Sequence, residues 1–146
     1  MIGLDTNVLV RYLVQDDAAQ ARAAAQLIEG VLTAERMGFV SCIVMCELVW
    51  VLESAYGFGR TQIVPVLRQL LATVEVRIES ADTVALALRS YESDAADFAD
   101  HLVALLNQNH GCEATYTLTG RRAGSPRTGY WSCANGNGRV PQCLCG

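Results

Sequence analysis

The sequence predicts an α/β fold with a three-layer α/β/α architecture, in which helices cover both faces of a central, mainly parallel sheet. Short apolar stretches of strand length alternate over residues 1–119 with segments whose apolar positions repeat at helical spacing. This alternation is typical of parallel sheets, whose neighbouring strands need a crossover helix between them. Half of the 146 residues are hydrophobic and only 18% are charged, so the chain can bury one sizeable core.

The first half of the chain is predicted to hold two strands and three helices. In order, these are a strand at 1–4, a helix at 7–14, an Ala-rich helix at 18–37, a strand at 39–41 and a helix that runs to Tyr56. Ser41 is the predicted cap of the third helix, since a hydroxyl at that position accepts a hydrogen bond from the first turn. Gly57 and Gly59 are expected to end it.

The second half is predicted to hold three helices and two strands. Thr61, Asp82 and Asp97 are the predicted caps of helices that end at Leu71, Tyr91 and Asn109. Apolar and charged residues alternate over 74–78, which indicates a half-buried strand, and a last strand is predicted at 114–118.

Residues 120–146 differ in character from the rest of the chain. They contain six Gly, two Pro and four Arg, with no acidic residue and no helical or strand periodicity. Such a segment cannot bury enough apolar surface to order itself. We therefore predict one domain over 1–119 and a disordered or irregular tail over 120–146.

Composition excludes several classes of function. All eleven basic residues are Arg, so P-loop phosphate binding and Schiff-base chemistry, which use a lysine, are excluded. Residues 1–119 carry fifteen acidic and seven arginine residues, a net charge of −8, which argues against binding nucleic acid by bulk electrostatics. The chain has no apolar run of about 18 residues and reaches its first strand at Ile2, so we expect a cytoplasmic protein that does not contact membranes.

Four carboxylates are predicted to converge. Asp5 follows the first strand, Glu47 lies early in the helix after the second strand, and Asp97 and Asp100 lie in the first turn of the last helix. Strand ends and helix starts of this kind meet at one edge of a parallel sheet. Clustered carboxylates repel one another unless a cation lies among them, and hard oxygen ligands suit Mg²⁺ or Mn²⁺.

Each of these acids also has an ordinary structural interpretation. Asp97 and Asp100 have the spacing of acids that cap a helix and complement its dipole. Asp5-Thr6-Asn7 could form an Asx turn. Glu47 is harder to explain structurally, because it falls within the apolar stretch 43–52, where an unpaired carboxylate is costly.

Three segments of the chain carry a resemblance to a known family. They are Ile-Gly-Leu-Asp-Thr-Asn-Val-Leu-Val-Arg-Tyr-Leu at 2–13, Val-Met-Cys-Glu-Leu-Val-Trp-Val-Leu at 44–52 and Ala-Asp-Phe-Ala-Asp-His-Leu-Val-Ala at 96–104. In this order and spacing they resemble the PIN-domain ribonucleases. Within that family the sequence is most similar to the VapC toxins of bacterial type II toxin–antitoxin operons, and the similarity covers residues 1 to about 119.

The resemblance implies a PIN-like fold and a Mg²⁺-dependent endoribonuclease, usually a homodimer, that is held inactive by a cognate VapB-like antitoxin. Asp5, Glu47 and Asp100 match the family's catalytic, metal-binding acids, and Asp97 matches an accessory metal-binding acid. In the same motifs, Thr6, Asn7 and Thr117 are expected to support the site.

The chain departs from the family pattern at the end of the last strand. The usual Thr-Phe-Asp is replaced by Thr117-Leu118-Thr119, so the fourth acid is missing, and residues 120–146 resemble no family ending. We interpret this abrupt change as a shift of reading frame, which the nucleotide sequence of the gene would test. Loss of a ligand predicts a weakened or inactive enzyme, because loss of an outer-shell partner alone costs about 10- to 100-fold.

An acidic body needs local cations to bind RNA. Arg11 lies one turn beyond the Asp5 motif and Arg60 follows the Gly57–Gly59 turn, so both are candidate phosphate contacts, unless they are ordinary surface arginines. An alternative function is a catalytically impaired PIN-fold protein that only binds an antitoxin. A third, an aspartyl-phosphate phosphatase with Asp5 as nucleophile, would need an acid at position 7 and a lysine, whereas the chain has Asn7 and no lysine.

Overall fold

A parallel three-stranded sheet organises the fold. The computed structural model describes residues 1–117 and 128–130. Strands β1 (Ile2–Gly3), β2 (Gly38–Val40) and β3 (Val76–Ile78) lie in the order β1-β2-β3, with Ile2 opposite Gly38 and Gly38 opposite Val76. The predicted α/β class with a parallel sheet is confirmed. The third strand begins two residues later than predicted.

Six α-helices of the described residues surround this sheet. Their bounds are α1 (Thr6–Val14), α2 (Ala18–Ala25), α3 (Cys42–Ser54), α4 (Arg60–Ala72), α5 (Ala81–Ser93) and α6 (Phe98–Asn109). They pack side by side in the spatial order α2–α1–α3–α6–α5–α4. Consequently α3 lies between α1 and α6, and the four predicted acids lie on these three helices or directly before them. None of the helices described is both long and apolar enough to cross a bilayer.

The core is built from the apolar side of every one of these helices and from the strands between them. Its largest fully buried side chains are Tyr91, Phe98, Leu9, Met45, Leu48, Leu52, Ile63, Leu67, Leu102, Val40 and Val84. The apolar residues that repeat at helical or strand spacing in the sequence are therefore the residues that the fold buries. This is expected when packing decides which face of each element turns inward.

The Ala-rich helix is much shorter than predicted. It ends at Val31, through a π-helical turn over Gln26–Val31, instead of at Met37. The next residue, Leu32, is extended and 4% exposed, and its N–H donates to the carbonyl of Leu27 at 3.1 Å. Burial of Leu32 in the core, followed by the return of the chain into β2, outweighs the helical preference of the segment.

Gly38 shows how closely the chain packs where it enters β2. A Cβ atom at this position would lie 2.8 Å from Cδ1 of Leu4 and 2.9 Å from Cδ1 of Leu32, both of which belong to the core. A residue without a side chain therefore lets β2 approach these two leucines.

The helix caps are partly as predicted. The hydroxyl of Ser41 accepts a hydrogen bond from Val44 N at 3.3 Å, which confirms it as the cap of α3, and Asp97 is the residue before α6. The predictions for Thr61 and Asp82 are wrong. Thr61 lies inside α4, which begins after Gly59, and Asp82 lies inside α5, which begins after Ser80. Both residues lie in the first turn of their helices. Sequence pattern alone locates a helix boundary only to within one or two residues.

The last predicted strand forms, but it does not join the main sheet. Strand β4 (Thr115–Thr117) pairs in parallel with β5 (Thr128–Tyr130), with Thr115 opposite Thr128. The three residues of β5 are a regular strand within the segment predicted to be irregular. The remainder of the predicted tail, like Leu118 and Thr119, lies outside the described residues.

Candidate active site

The chain leaves β1 directly into the Asp5-Thr6-Asn7 motif. Leu4 N donates to Phe39 O at 2.8 Å, so the sheet holds the backbone up to the residue before Asp5. Asp5 is extended, and its carbonyl accepts from Val8 N at 3.1 Å to start α1. Its exposed carboxylate makes no capping hydrogen bond; Asn7 Nδ2 donates to it at 3.3 Å. The Asx-turn interpretation of Asp5 is therefore not what the structure shows.

Thr6 links this motif to α3. Its side chain is buried, and its hydroxyl donates a short hydrogen bond to Oε2 of Glu47, 41 positions along the chain. The hydroxyl cannot donate elsewhere at the same time, so this bond orients the Glu47 carboxylate with respect to Asp5 and Asn7. Two of the predicted site segments, far apart in sequence, are thus brought together.

Glu47 lies on the exposed side of α3, contrary to the expectation of a costly buried position. Ile43 and Trp50, four residues before it and three after it, are 79% and 66% exposed. Met45 and Leu48, on the opposite side of the helix, are fully buried. The apolar stretch therefore has two apolar faces, and only one of them belongs to the core.

Asp97 and Asp100 lie at the start of α6, both half-buried. The Asp97 carbonyl accepts from His101 N at 3.3 Å, while its side chain makes no capping hydrogen bond. Their negative charge complements the positive end of the helix dipole in any case. Because α3 and α6 pack against each other, this helix start belongs to the same part of the molecule as the helix of Glu47.

A buried imidazole lies next to these acids. His101 is 3% exposed, and its Nε2 lies 3.9 Å from the Asp94 carboxylate and has no hydrogen-bond partner among the residues that the structure describes. Burial lowers the pKa of His101, and the nearby Asp94 and Asp100 oppose that shift only in part. The imidazole is consequently neutral at physiological pH.

The donor chemistry at this place fits a hard divalent cation. Asp5, Glu47, Asp97 and Asp100 offer carboxylate oxygens, which Mg²⁺ and Mn²⁺ prefer. Among the residues that the structure describes, no three His, Cys, Asp or Glu side chains form a group that could hold a metal ion. Within the described part of the chain, the predicted convergence of the four acids into one ligand group is therefore not observed. The assignment of these four acids as ligands stays a prediction.

Arg11 is engaged within the protein. Its Nη1 donates to both carboxylate oxygens of Asp16, at 2.6 and 2.7 Å, and its Nε donates to Gln20 at 2.7 Å. The hydrogen bond from Arg11 is the main cause that lowers the pKa of Asp16. Arg11 also lines a cleft of about 290 Å³ between α1 and α2, next to Asn7, Val8 and Leu27.

Arg60 is likewise held by its neighbours. Its Nη2 donates to the carbonyl of Ala96 at 3.2 Å, and its Cζ lies 4.2 Å from the centroid of the Tyr91 ring. Sequence reasoning did not single out Tyr91 or Ala96. In the sequence, Tyr91 is an aromatic residue at a helical core position. That pattern does not indicate a charged neighbour.

Two further observations concern the location of the site. Thr117 lies in β4, where only its backbone is described, and Thr119 falls outside the described residues. A cleft of about 740 Å³ runs beside β3, and none of the predicted site acids lines it. We therefore place the candidate site by its residues and not by cavity size.

Comparison with known families identifies the fold family of the chain. The family model of the PIN domain matches residues 2–118, which span β1 through β4 and include all four predicted acids. Searches of curated proteins and of solved structures each found no match. PIN domains are in general metal-dependent nucleases. A match over most of the chain shows that it belongs to the PIN-domain family.

Proposed function

We propose that this chain is a Mg²⁺- or Mn²⁺-dependent endoribonuclease of the VapC toxin type. The observation that supports it most is the hydrogen bond from Thr6 to Glu47, which joins the Asp5 motif to α3. The hydroxyl of the buried Thr6 needs an acceptor, and the acceptor that it finds is one of the four predicted acids, on another helix. The bond ties Glu47 to the residue that follows Asp5, at the end of a parallel strand, where α/β proteins bind their ligands.

In this proposal Asp5, Glu47 and Asp100 hold the cation, with Asp97 as an accessory ligand. The bound cation would activate water and neutralise charge on the phosphoryl group. The chain's own residues supply orientation. Thr6 fixes the Glu47 carboxylate, and the Asn7 amide donates to the Asp5 carboxylate.

RNA is the proposed substrate class, and Arg11 is its proposed contact in the described part of the chain. Arg11 lines the cleft beside Asn7, two residues from Asp5. Its partner Asp16 is an exposed carboxylate, so an RNA phosphate can replace it at little desolvation cost. An Arg–phosphate pair of this kind positions a substrate without reading its sequence.

An antitoxin and a second copy of the chain are the proposed protein partners. The cleft between α1 and α2 is lined mostly by apolar side chains, including Val8, Ala24 and Leu27, which suits an apolar segment of an antitoxin. Co-expression with the product of the neighbouring gene, followed by affinity purification of the tagged chain, tests this. Recovery of the chain alone, as a monomer by light scattering, would contradict the proposal of an antitoxin partner and that of a homodimer.

RNA cleavage in Mg²⁺ or Mn²⁺ tests the activity. We expect the parent chain to cleave and Asp5→Ala to reduce the rate by at least about 100-fold, the upper end of the effect of losing an outer-shell partner. Asp82→Ala is the matched control, since Asp82 is an exposed acid in the first turn of another helix. Equal cleavage by the parent and Asp5→Ala would overturn the proposal.

The second candidate is an impaired PIN protein that only binds its partner. It is favoured by Thr119, which stands where the family has an acid. In that case the parent is inactive, the partner complex still forms, and Thr119→Asp restores cleavage if the missing acid is the sole defect.

A further inference from the structure

The guanidinium of Arg60 is held by two neighbours, one on α5 and one in the connection between α5 and α6. Its Nη2 donates to Ala96 O at 3.2 Å, and its Cζ lies 4.2 Å from the ring centroid of Tyr91, the geometry of a cation–π contact. Ala96 and Tyr91 are both fully buried. Arg60 is therefore a fixed group at the start of α4 and not a mobile surface cation.

The contacts of Arg60 continue into α6 and α3. The Tyr91 ring packs edge-on against Phe98, the first residue of α6, with 6.0 Å between centroids and an interplanar angle of 84°. The Tyr91 hydroxyl donates to Oε1 of Glu53 on α3 at 2.6 Å. One set of contacts thus joins α4, α5, α6 and α3, and it surrounds the backbone just before Asp97.

This part of the chain is crowded with negative charge. Asp94, Asp97 and Asp100 lie within seven residues of one another, and repulsion among their carboxylates opposes any fixed arrangement. The Arg60 side chain places its positive charge at Ala96, in the middle of that stretch. The same contact therefore fixes the backbone and offsets the repulsion.

We propose that Arg60 is a positioning residue, which acts through Ala96 and Tyr91 to hold residues 94–97 so that Asp97 and Asp100 keep their places at the start of α6. This inference rests on the proposed function of those acids. It gives Arg60 a role other than the RNA contact expected from sequence, and the two roles differ in what a substitution changes.

Three variants of the full chain separate these roles. Arg60→Met removes the charge and the donors but keeps an apolar side chain on Tyr91. Arg60→Lys keeps a charge and a donor without the planar group. Arg68→Met is the matched control, because Arg68 is an exposed arginine on the same helix, and its ion pair is with the exposed Glu92 of α5.

The measurements are Mn²⁺ binding by electron paramagnetic resonance, amide hydrogen exchange of residues 94–100, and RNA binding in EDTA. For Arg60→Met we expect Mn²⁺ affinity to fall at least about tenfold, as for other residues that orient metal ligands, with faster exchange over 94–100 and unchanged RNA affinity. Arg60→Lys should lie between Arg60→Met and the parent, and Arg68→Met should match the parent. Circular dichroism establishes that each variant is folded.

Several outcomes would overturn the inference. They are unchanged Mn²⁺ affinity in Arg60→Met, unchanged exchange over 94–100, or a loss of RNA affinity with Mn²⁺ binding intact, which would make Arg60 an RNA contact. If Arg60→Met does not fold, the comparison of Arg60→Lys with Arg68→Met decides by the same measurements. If the parent itself does not bind Mn²⁺, the proposed metal site fails and the positioning role fails with it.

Discussion

At the scale of single residues, this protein places its polar groups by long-range pairing. Thr6 with Glu47, Tyr91 with Glu53 and Arg60 with Ala96 each join elements more than thirty positions apart. Most of these side chains are buried or half-buried, where a polar group without a partner costs free energy. Their pairing consequently constrains where α3, α4 and α6 can lie.

The Thr6–Glu47 hydrogen bond can be tested with two substitutions at one position. Thr6→Val keeps the shape and removes the hydroxyl, so we expect a loss of about 1–2 kcal/mol in the free energy of unfolding and reduced RNA cleavage. Thr6→Ser keeps the donor and should retain more of both. Urea unfolding and the cleavage assay measure these effects, and a Thr6→Val variant as stable and active as the parent would show that the bond orients nothing.

Two buried acidic groups predict how stability depends on alkaline pH. Burial, more than any other cause, raises the pKa of Cys42 from 9.0 to about 11 and that of Tyr91 from 10.0 to about 12. The folded chain therefore holds these protons more tightly than the unfolded chain. Their contribution to stability is complete below pH 9 and is lost as the pH rises towards about 12.

Tyr91→Phe separates the tyrosine from the cysteine. We expect this variant to lose less stability than the parent between pH 10 and about 12, although it starts lower because its bond to Glu53 is gone. Urea midpoints measured across this range provide the comparison. Parallel curves for the two proteins would mean that the Tyr91 proton makes no difference to folding.

At the scale of elements, the helix starts show where a capping pattern in the sequence corresponds to a cap in the structure and where it does not. Asp17 accepts hydrogen bonds from Ala19 N at 3.0 Å and Gln20 N at 2.9 Å, and Ser41 accepts one from Val44 N at 3.3 Å. The sequence indicates Thr61 as a cap of the same kind, whereas the structure places it inside α4. A cap satisfies an unpaired backbone N–H, and a first-turn residue does not.

Alanine substitutions should reveal this difference. We expect Asp17→Ala and Ser41→Ala to lower the free energy of unfolding by about 1 kcal/mol each. Thr61→Ala removes no capping bond from an exposed position, so its effect should stay within about 0.5 kcal/mol. Chemical denaturation of the three variants suffices, and a Thr61→Ala loss as large as that of Ser41→Ala would restore Thr61 as the cap.

The approach of β2 to the core makes a second prediction at this scale. Gly38→Ala would place a Cβ 2.8 Å from Leu4 and 2.9 Å from Leu32, so we expect a loss of stability. Its size should be about 1–3 kcal/mol, as for other overpacked cores. Gly3→Ala in β1 is the control, because no atom lies within 4 Å of a Cβ there. Equal midpoints for the two variants in a denaturant titration would refute the close packing at Gly38.

At the scale of the whole molecule, the order of helices explains how a distributed set of acids can act together. The helices pack in the order α2–α1–α3–α6–α5–α4. In this order α3 lies between α1 and α6, which come from distant parts of the chain. The four predicted acids begin or lie on those three helices. This neighbourhood, and not proximity along the chain, is what the proposed nuclease depends on.

Much of this architecture could be predicted from local pattern. Alternation of strand and helix, the parallel sheet and the cap at Ser41 follow from residues close together in sequence. The end of the Ala-rich helical segment at Val31 and the pairing of β4 with β5 could not, because both depend on contacts with distant segments. The same holds for the contacts of Arg11 and Arg60, since an arginine in sequence does not indicate which carboxylate or ring it will meet.

The sequence by itself therefore determined the α/β class, the order of the elements, the membership of the PIN family and the kinds of side chain offered at the site. Only the tertiary structure decided that Thr6 holds Glu47, that Arg11 pairs with Asp16 and that Arg60 lies on Tyr91. The physical reason is range. Periodicity and capping are local properties of a chain, whereas the partner of a charge is set by which distant elements the core packs beside it.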